Sequence, residues 1–573
     1  MAEGAWTTRP TTTRTPATAA ELRTEVLIIG GGVGGVAAAL SCLRLGVACI
    51  ITEPTDVLGG QLTSQAVPPD ENQWVETFGA TASYQSLRER VRAAVLRDGA
   101  SRREVEPFGS FNPGGGWVSR CCAEPVRWHR ELMAMLQEAT AGKPSLLTVL
   151  HRHELLGIHR EKDTVGPARF RDMETGEERT IHAAFYLDAT EMGDVLALGH
   201  IEHHIGAEHQ SVYGELHGRT DFDASQSTHD QLDQQACSWC FAMEHRPGEN
   251  HVIGKPAGYD FWRSYVPAME PRWSGNLFSW TVPSHNEEGK RYFDLVPWPD
   301  EPRNGAWEMW RYRRIVDRSI WPGALAASHP DVCLVNMVQM DYWQHPLLGV
   351  TAHQQAMALA GAQEQSRCWL YWMQTEAPRH DGNTAGYPGL KLRGDELGTA
   401  DGFAKACYIR EPRRLVARTI MTEEHLGTQQ RKAAGLDTLE MNWDATPYGT
   451  AERFTDSVGI GHYAIDLHPS SAGRNNVYVP AAPYRIAMGS LIPVRCRNLL
   501  AAGKCLGVSH IVNGTTRMHH SEWNIGESAG ALAAYCVNNG TEPHAVHVEP
   551  ERIEAVQVML AGLGVRLAWP WER

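Results

Sequence analysis

Gly30-Gly31-Gly32-Val33-Gly34-Gly35 satisfies GxGxxG, and the acid Glu53 closes the second apolar run after it. In such a loop the first glycine permits a tight turn and Gly32 lets the backbone approach a pyrophosphate. Gly35 lets a helix pack closely on a strand. Amides at the start of the following helix, where Val33 and Gly34 stand, would face the anion. A carboxylate at Glu53 can accept hydrogen bonds from both hydroxyls of a ribose and would repel a 2′-phosphate. The pattern points to a dinucleotide.

A second group of reactive side chains lies near the other end. His519 and His520 follow Arg517 and precede Asn524-Ile525-Gly526, the expected start of a helix rich in small residues. Histidine suits a base that removes a proton from a donor O–H, N–H or C–H, so these two are the leading candidates, expected in the loop ahead of that helix. Tyr484 and Arg485 are secondary candidates, as are His462, Asp466 and His468 in GHYAIDLHPS. Cys237-Ser-Trp-Cys240 is a CxxC without the βαβ context of a redox motif, so a structural role is expected. No second CxxC stands at zinc-binding distance and no metal is expected. No second GxGxxG occurs either, which argues against a dedicated NAD(P)H domain.

Elements must place these groups. EVLIIG, from Glu25, is a continuous apolar run stopping at glycine, as a buried parallel strand does. VAAALSCLRLG reads as a helix ending at Gly46, and VACIITE as a second strand, so residues 25–53 make one βαβ unit. Alternating segments between Leu146 and Leu187 predict a β-meander feeding a strand that ends at Asp188-Ala189, where small residues can admit a cofactor. NLLAAG predicts another strand ending at Gly503. Between these parts lies a proline-rich stretch holding most of the 19 tryptophans. The expected fold is therefore α/β: a discontinuous Rossmann-like domain of residues 24–225 and 446–545, with an α+β substrate domain inserted at 226–445. A tail of residues 1–23 and an extension of 546–573 flank it.

Gly59-Gly60-Gln61 follows Glu53, and Asn112 to Pro125 reads NPGGGWVSRCCAEP. With the glycine loop, Asp188-Ala-Thr-Glu-Met-Gly-Asp and the terminal NLLAAGKCLGVSHIVNGTTR, these blocks resemble the glutathione-reductase-like FAD proteins. More narrowly, they resemble a bacterial family of FAD-dependent oxidoreductases typified by NPxxxWVSRxCxEP. Pro412 departs from that family, which commonly has a serine there, and this bears on a local turn. The resemblance implies FAD, with Gly30, Gly32, Val33, Gly34, Gly35, Glu53, Gly59, Gly60, Gln61, Arg120, Leu155, Asp188, Ala189, Gly503, Asn524 and Ile525 binding it. It also implies that the helix starting at Asn524 points at the pyrimidine end of the flavin, with His519, His520 and Tyr484 supplying catalysis. Cys121 and Cys122, within the signature, are expected to pack under the flavin.

Composition narrows the function. The 573 residues carry 53 Lys and Arg against 67 Asp and Glu, a net charge of −14, which fits neither nucleic acid nor an anionic membrane as a partner. No apolar run reaches the roughly 20 residues that span a bilayer. Twelve scattered cysteines fit a reducing compartment, and the tail lacks the apolar core of a signal peptide, so cytoplasmic residence is expected. The expected reaction is hydride removal from a small-molecule substrate onto flavin. Indoles stack on sugar faces or rings as well as filling cores, so a sugar, glycoside or ring-bearing metabolite is preferred. A small acid would call for convergent arginines. Oxygen, a quinone or another protein could take the electrons, and a homo-oligomer stays open. The alternatives are an electron-transfer flavoprotein docking through the tryptophan-rich face, and a polysaccharide lyase without working flavin.

Overall fold

The apolar run at Val26 becomes the central strand β1 (Ala20–Ile29), in a computed structural model that describes residues 20–106, 109–221, 233–284, 289–297, 300–436 and 451–572. The chain turns at Gly30 into helix α1 (Val33–Arg44) and returns as β2 (Cys49–Glu53), parallel to β1. Helices α2 (Ala82–Arg97) and α3 (Pro125–Ala139) follow. Thr81 caps α2 by accepting from the Tyr84 amide, and a proline opens α3. Strand β3 (Leu147–His151) lies parallel to β2.

The expected meander is present as β4 (His153–Glu161), β5 (Thr164–Asp172) and β6 (Glu178–Asp188), antiparallel in turn. β6 comes back parallel to β1, giving the order β3-β2-β1-β6-β5-β4. Strand Leu499–Ala501 adds in parallel to residues 186–188, at the end of β6 that β5 does not cover. β1 starts five residues before the expected Glu25, because residues 20–24 pair with 179–183 of β6. Backbone pairing, not hydrophobicity, extends it.

The long helix His519–Asn539 packs along α1. A Cβ on Gly526 would fall 1.9 Å from the Gly34 carbonyl oxygen, and one on Gly530 2.3 Å from that of Ala38. Small residues one turn apart thus let the two helices touch backbone to backbone.

Two main cores form. The first draws on residues 26–201 and 415–565, hence on both ends of the chain; the second draws on 236–409. Leu415, Ala417, Met421 and Leu426 already belong to the first. The inserted part carries a four-stranded antiparallel sheet in the order Arg314–Val316, Val332–Val335, Phe241–His245, Leu390–Leu392. Helix Ala352–Thr375, opened by a capping box of Thr351 and Gln354, packs beside it. Trp262, Trp273, Trp280, Trp310, Trp343, Trp369 and Trp372 are buried in the second core. Those indoles fill space, and the expected stacking or docking face of tryptophans is corrected accordingly. Among the described residues no helix is long and apolar enough to cross a membrane.

Candidate nucleotide and redox site

Gly30 takes φ +103°, a conformation that favours glycine, and a Cβ there would lie 2.3 Å from the Ala189 carbonyl oxygen. The Asp188-Ala189-Thr190 segment therefore crosses directly over the loop. The Ala189 amide donates to Ile29 O at 2.8 Å, and Gly35 packs against the Gly30 carbonyl. Asp188 accepts from the Thr190 amide at 3.0 Å and its hydroxyl at 2.7 Å, and burial pushes its carboxyl up to about 7. Gly503 stands beside Ala189, and its neighbour Ala502 donates to Asp188 O at 2.8 Å.

Glu53 is buried at the end of β2. Its carboxylate accepts from the Gly31 amide at 3.0 Å, the Thr55 amide at 2.9 Å and the Thr55 hydroxyl at 2.7 Å. It braces the glycine loop from the end of β2. Burial outweighs those bonds and pushes its carboxyl up to about 7. The Gly59 amide donates to Gly31 O at 2.7 Å, and Gly60 opens a short turn holding Gln61. Gln61 then donates to Arg517 O at 3.0 Å and to Glu522, tying the loop to the far end of the chain. Lys504 pairs with Glu191 and donates to Ile409 O at 2.8 Å.

The long helix begins at His519, with Met518 as its N-cap and no side chain capping it. The expected start at Asn524 is corrected: residues 519–522 look like a loop because they are polar, yet they are buried. Asn524 lies in the second turn, where it accepts from the Ile460 amide at 3.1 Å and donates to Ser528 at 3.1 Å. Its amide is committed to strand Ser457–Gly461, and Ile525 lies in the first core. Val33, the first residue of α1, is buried there too. Arg120 is half-buried, its carbonyl accepting from Arg92 at 2.9 Å; Leu155 sits on β4 opposite Phe170. Cys237 and Cys240 are free thiols in different apolar clusters, and the buried Cys121 and Cys122 are free as well.

The expected bases are differently placed. His519 Nδ1 accepts from the Asp70 amide at 3.1 Å, which leaves the proton on Nε2. Burial, with His520 beside it, holds the ring well below its ordinary range, so it stays neutral. His520 Nε2 donates to His462 O at 3.1 Å, and burial carries its pKa down to about 3. The Tyr484 hydroxyl donates to Thr515 O at 3.2 Å and is pushed up to about 12 by burial. At neutral pH these geometries make His519 a donor and leave Tyr484 committed to the backbone.

A different histidine stands ready. His468 Nδ1 lies 2.6 Å from Asp341, whose carboxylate also accepts from Ser238 at 2.6 Å and pairs with Arg410 at 2.9 Å. Although burial raises it, Arg410 and His468 hold the Asp341 carboxyl below its usual range. On the other side, His468 Nε2 faces Asp466 at 3.6 Å. Arg517 reaches Asp466 O at 2.9 Å and the Tyr408 hydroxyl at 2.7 Å. His468 keeps 20% of its side chain accessible and Asp466 24%, while Asp341 is closed at 0%. This is a partly exposed histidine held by a buried carboxylate. The groove between α2 and α3, lined by Arg90, Arg130 and Glu138, shares no residue with it.

Buried polar atoms without a hydrogen-bond partner among the described residues include Gln61 Oε1, both amide atoms of Gln65, Asp188 Oδ2, Glu191 Oε1, Arg517 Nε and His519 Nε2. They fit a large polar ligand lying from the glycine loop to the His519 helix. The model of the family described as FAD dependent oxidoreductase matches residues 25–560. The chain belongs to that family. Its cofactor is FAD.

The flavin-dependent monooxygenase PieE, solved with FAD and substrate, is 17% identical over 40% of this chain and 36% of its own, with a TM-score of 0.21. The myxobacterial chondrochloren halogenase CndH is 15% identical over 41% and 45%, TM-score 0.21. THI4 of Thermovibrio ammonificans is 16% identical over 32% and 66%, TM-score 0.20. The chain thus spans less than half the length of the first two. A search of curated proteins found no match.

Proposed function

We propose that this flavoenzyme removes two electrons from an organic donor as hydride, in a domain of the glutathione-reductase type. The observation that carries this is the contact of Gly34 with Gly526, which sets the glycine loop against the terminal helix, with unpartnered buried polar atoms gathered round both. The sheet order, the antiparallel meander and the terminal strand beside β6 support the domain type.

Bound FAD supplies the hydride acceptor. Glu53 serves the adenosine ribose, and the amides opening α1 serve the pyrophosphate. The uncapped start of the His519 helix offsets negative charge developing at the pyrimidine end. With its Nδ1 held at Asp341, His468 turns Nε2 toward Asp466 and is the group that takes the donor's O–H or N–H proton. Asp466 then steadies the imidazolium. Tyr408, Asp341 and Arg410, all contributed by the inserted part, hold Arg517 and His468 from that side. Free thiols at all twelve cysteines support a reducing compartment, the cytoplasm.

Anaerobic screening of the purified holoenzyme tests the reading: a donor bleaches the oxidised-flavin band. A chain that releases no FAD on denaturation, and takes none up when offered it, would overturn it.

Glu53→Gln carries its own expected result. Losing an ionised acceptor for the ribose removes about 1.5–3 kcal/mol, so FAD should bind about tenfold to a hundredfold more weakly, as equilibrium titration of apoprotein reads. The direction with pH follows from the carboxyl's position near 7. Ribose hydroxyls donate to the ionised form, so uptake of FAD expels a proton. Binding therefore tightens as pH rises from about 6 to about 8, and the variant should lose that dependence.

A further inference from the structure

We infer that the donor carries a carboxylate and that Arg313 is the residue that anchors it, an inference resting on the flavin placement proposed above. The Arg313 guanidinium lies 5.0 Å from the Tyr312 ring centre, and its side chain is 11% exposed. Its Nε and NH1 atoms have no hydrogen-bond acceptor among the described residues. The nearest carboxylate oxygen, on Asp70, is 3.8 Å away, beyond hydrogen-bond reach.

The neighbouring cations each hold at least one close acceptor. Arg517 bonds to Asp466 and Tyr408, Arg410 pairs with Asp341, and Lys504 pairs with Glu191. An arginine cannot shed its charge, and a buried guanidinium short of acceptors is costly unless a ligand completes it. A carboxylate is the complementary group. Asp70 beside it disfavours a dianion such as phosphate by like-charge repulsion. Asp70 is itself fixed by donating its amide to His519, so the anchor lies next to the start of the long helix. Tyr312, Tyr463 and Tyr478 lie within electrostatic reach of Asp70 and Asp466, so rings are at hand for a ring or flat carbon skeleton. With the indoles buried, a neutral sugar has lost its support. Arg313 supplies the cation that an acid requires.

The FAD-loaded protein titrated with benzoate tests this, with benzamide as the neutral match. Flavin absorbance and thermal melting are the two readouts. Benzoate should saturate and raise the melting temperature, benzamide should do neither, and Arg313→Met should weaken benzoate about tenfold to a hundredfold with FAD content unchanged. Asp70→Asn, which removes the competing carboxylate, should tighten benzoate severalfold, and it decides the matter where Arg313→Met does not fold. Benzoate binding no tighter than benzamide, or equally to Arg313→Met, or unimproved in Asp70→Asn, overturns the anchor while a retained flavin leaves the proposed function standing. A chain that holds no FAD, yet binds benzoate through Arg313, keeps the anchor and overturns the flavin placement.

Discussion

Alanine at position 34 is expected to give a protein that retains little FAD and melts well below its parent. The added Cβ would sit 2.0 Å from the Ala502 carbonyl oxygen and 3.1 Å from Gly503 Cα. Both are backbone atoms, so no side chain can swing aside. Ala502 is tethered by donating to Asp188 O at 2.8 Å, and on the other flank Gly526 already meets the Gly34 carbonyl. Relief requires α1 to leave both the end of strand Leu499–Ala501 and the His519 helix, which opens the first core at the point where the cofactor lies. Overpacking that side chains can absorb costs about 1–3 kcal/mol. A backbone clash on two sides should exceed about 3 kcal/mol, the upper end of that range. Gly157 is the control, since a Cβ there meets nothing within 4 Å and alanine should be tolerated. Flavin-to-protein ratios and melting curves of the two variants decide the point; full flavin content and an unchanged melt in Gly34→Ala would refute it.

What could be read from the chain in advance was whatever is local. The βαβ unit, its glycine loop and Glu53 lie within one short stretch, and each strand or turn there has its own hydrophobic or steric reason. The meander at residues 153–188 was legible from alternation and turn residues alone. The start of the long helix was not, because His519-His520-Ser521-Glu522 is polar in type and buried in place. Only the fold shows that those residues look inward. Asn524 misled for the opposite reason: its small, helix-opening neighbours suggested an N-terminus, whereas Gly459 leaves room for its amide against strand Ser457–Gly461. Tryptophan content gave no means of distinguishing a stacking face from a core. His468 was visible as one candidate among several, but Asp341, far upstream and in the other core, carries no spacing signal toward it. The same holds for Arg313 and Asp70. Their meeting is a property of how the insert closes on the nucleotide-binding part.

His468→Gln should slow flavin reduction about a hundredfold to ten-thousandfold, the range over which a positioned proton acceptor contributes, once a donor is in hand. Glutamine keeps a polar side chain of comparable reach, so Asp341 retains a donor and stays paired with Arg410 and Ser238. FAD content, melting temperature and the donor's dissociation constant should therefore change little, and the loss should fall on the rate of bleaching in a stopped-flow mixing experiment. His519→Gln supplies the contrast. Its ring accepts the Asp70 amide and holds its proton on Nε2, so its replacement should disturb the start of the helix and the retention of FAD, with less effect on the rate per bound flavin. A reduction rate per bound flavin that survives in His468→Gln but collapses in His519→Gln would return the proton to the helix start and remove His468 and Asp341 from the chemistry.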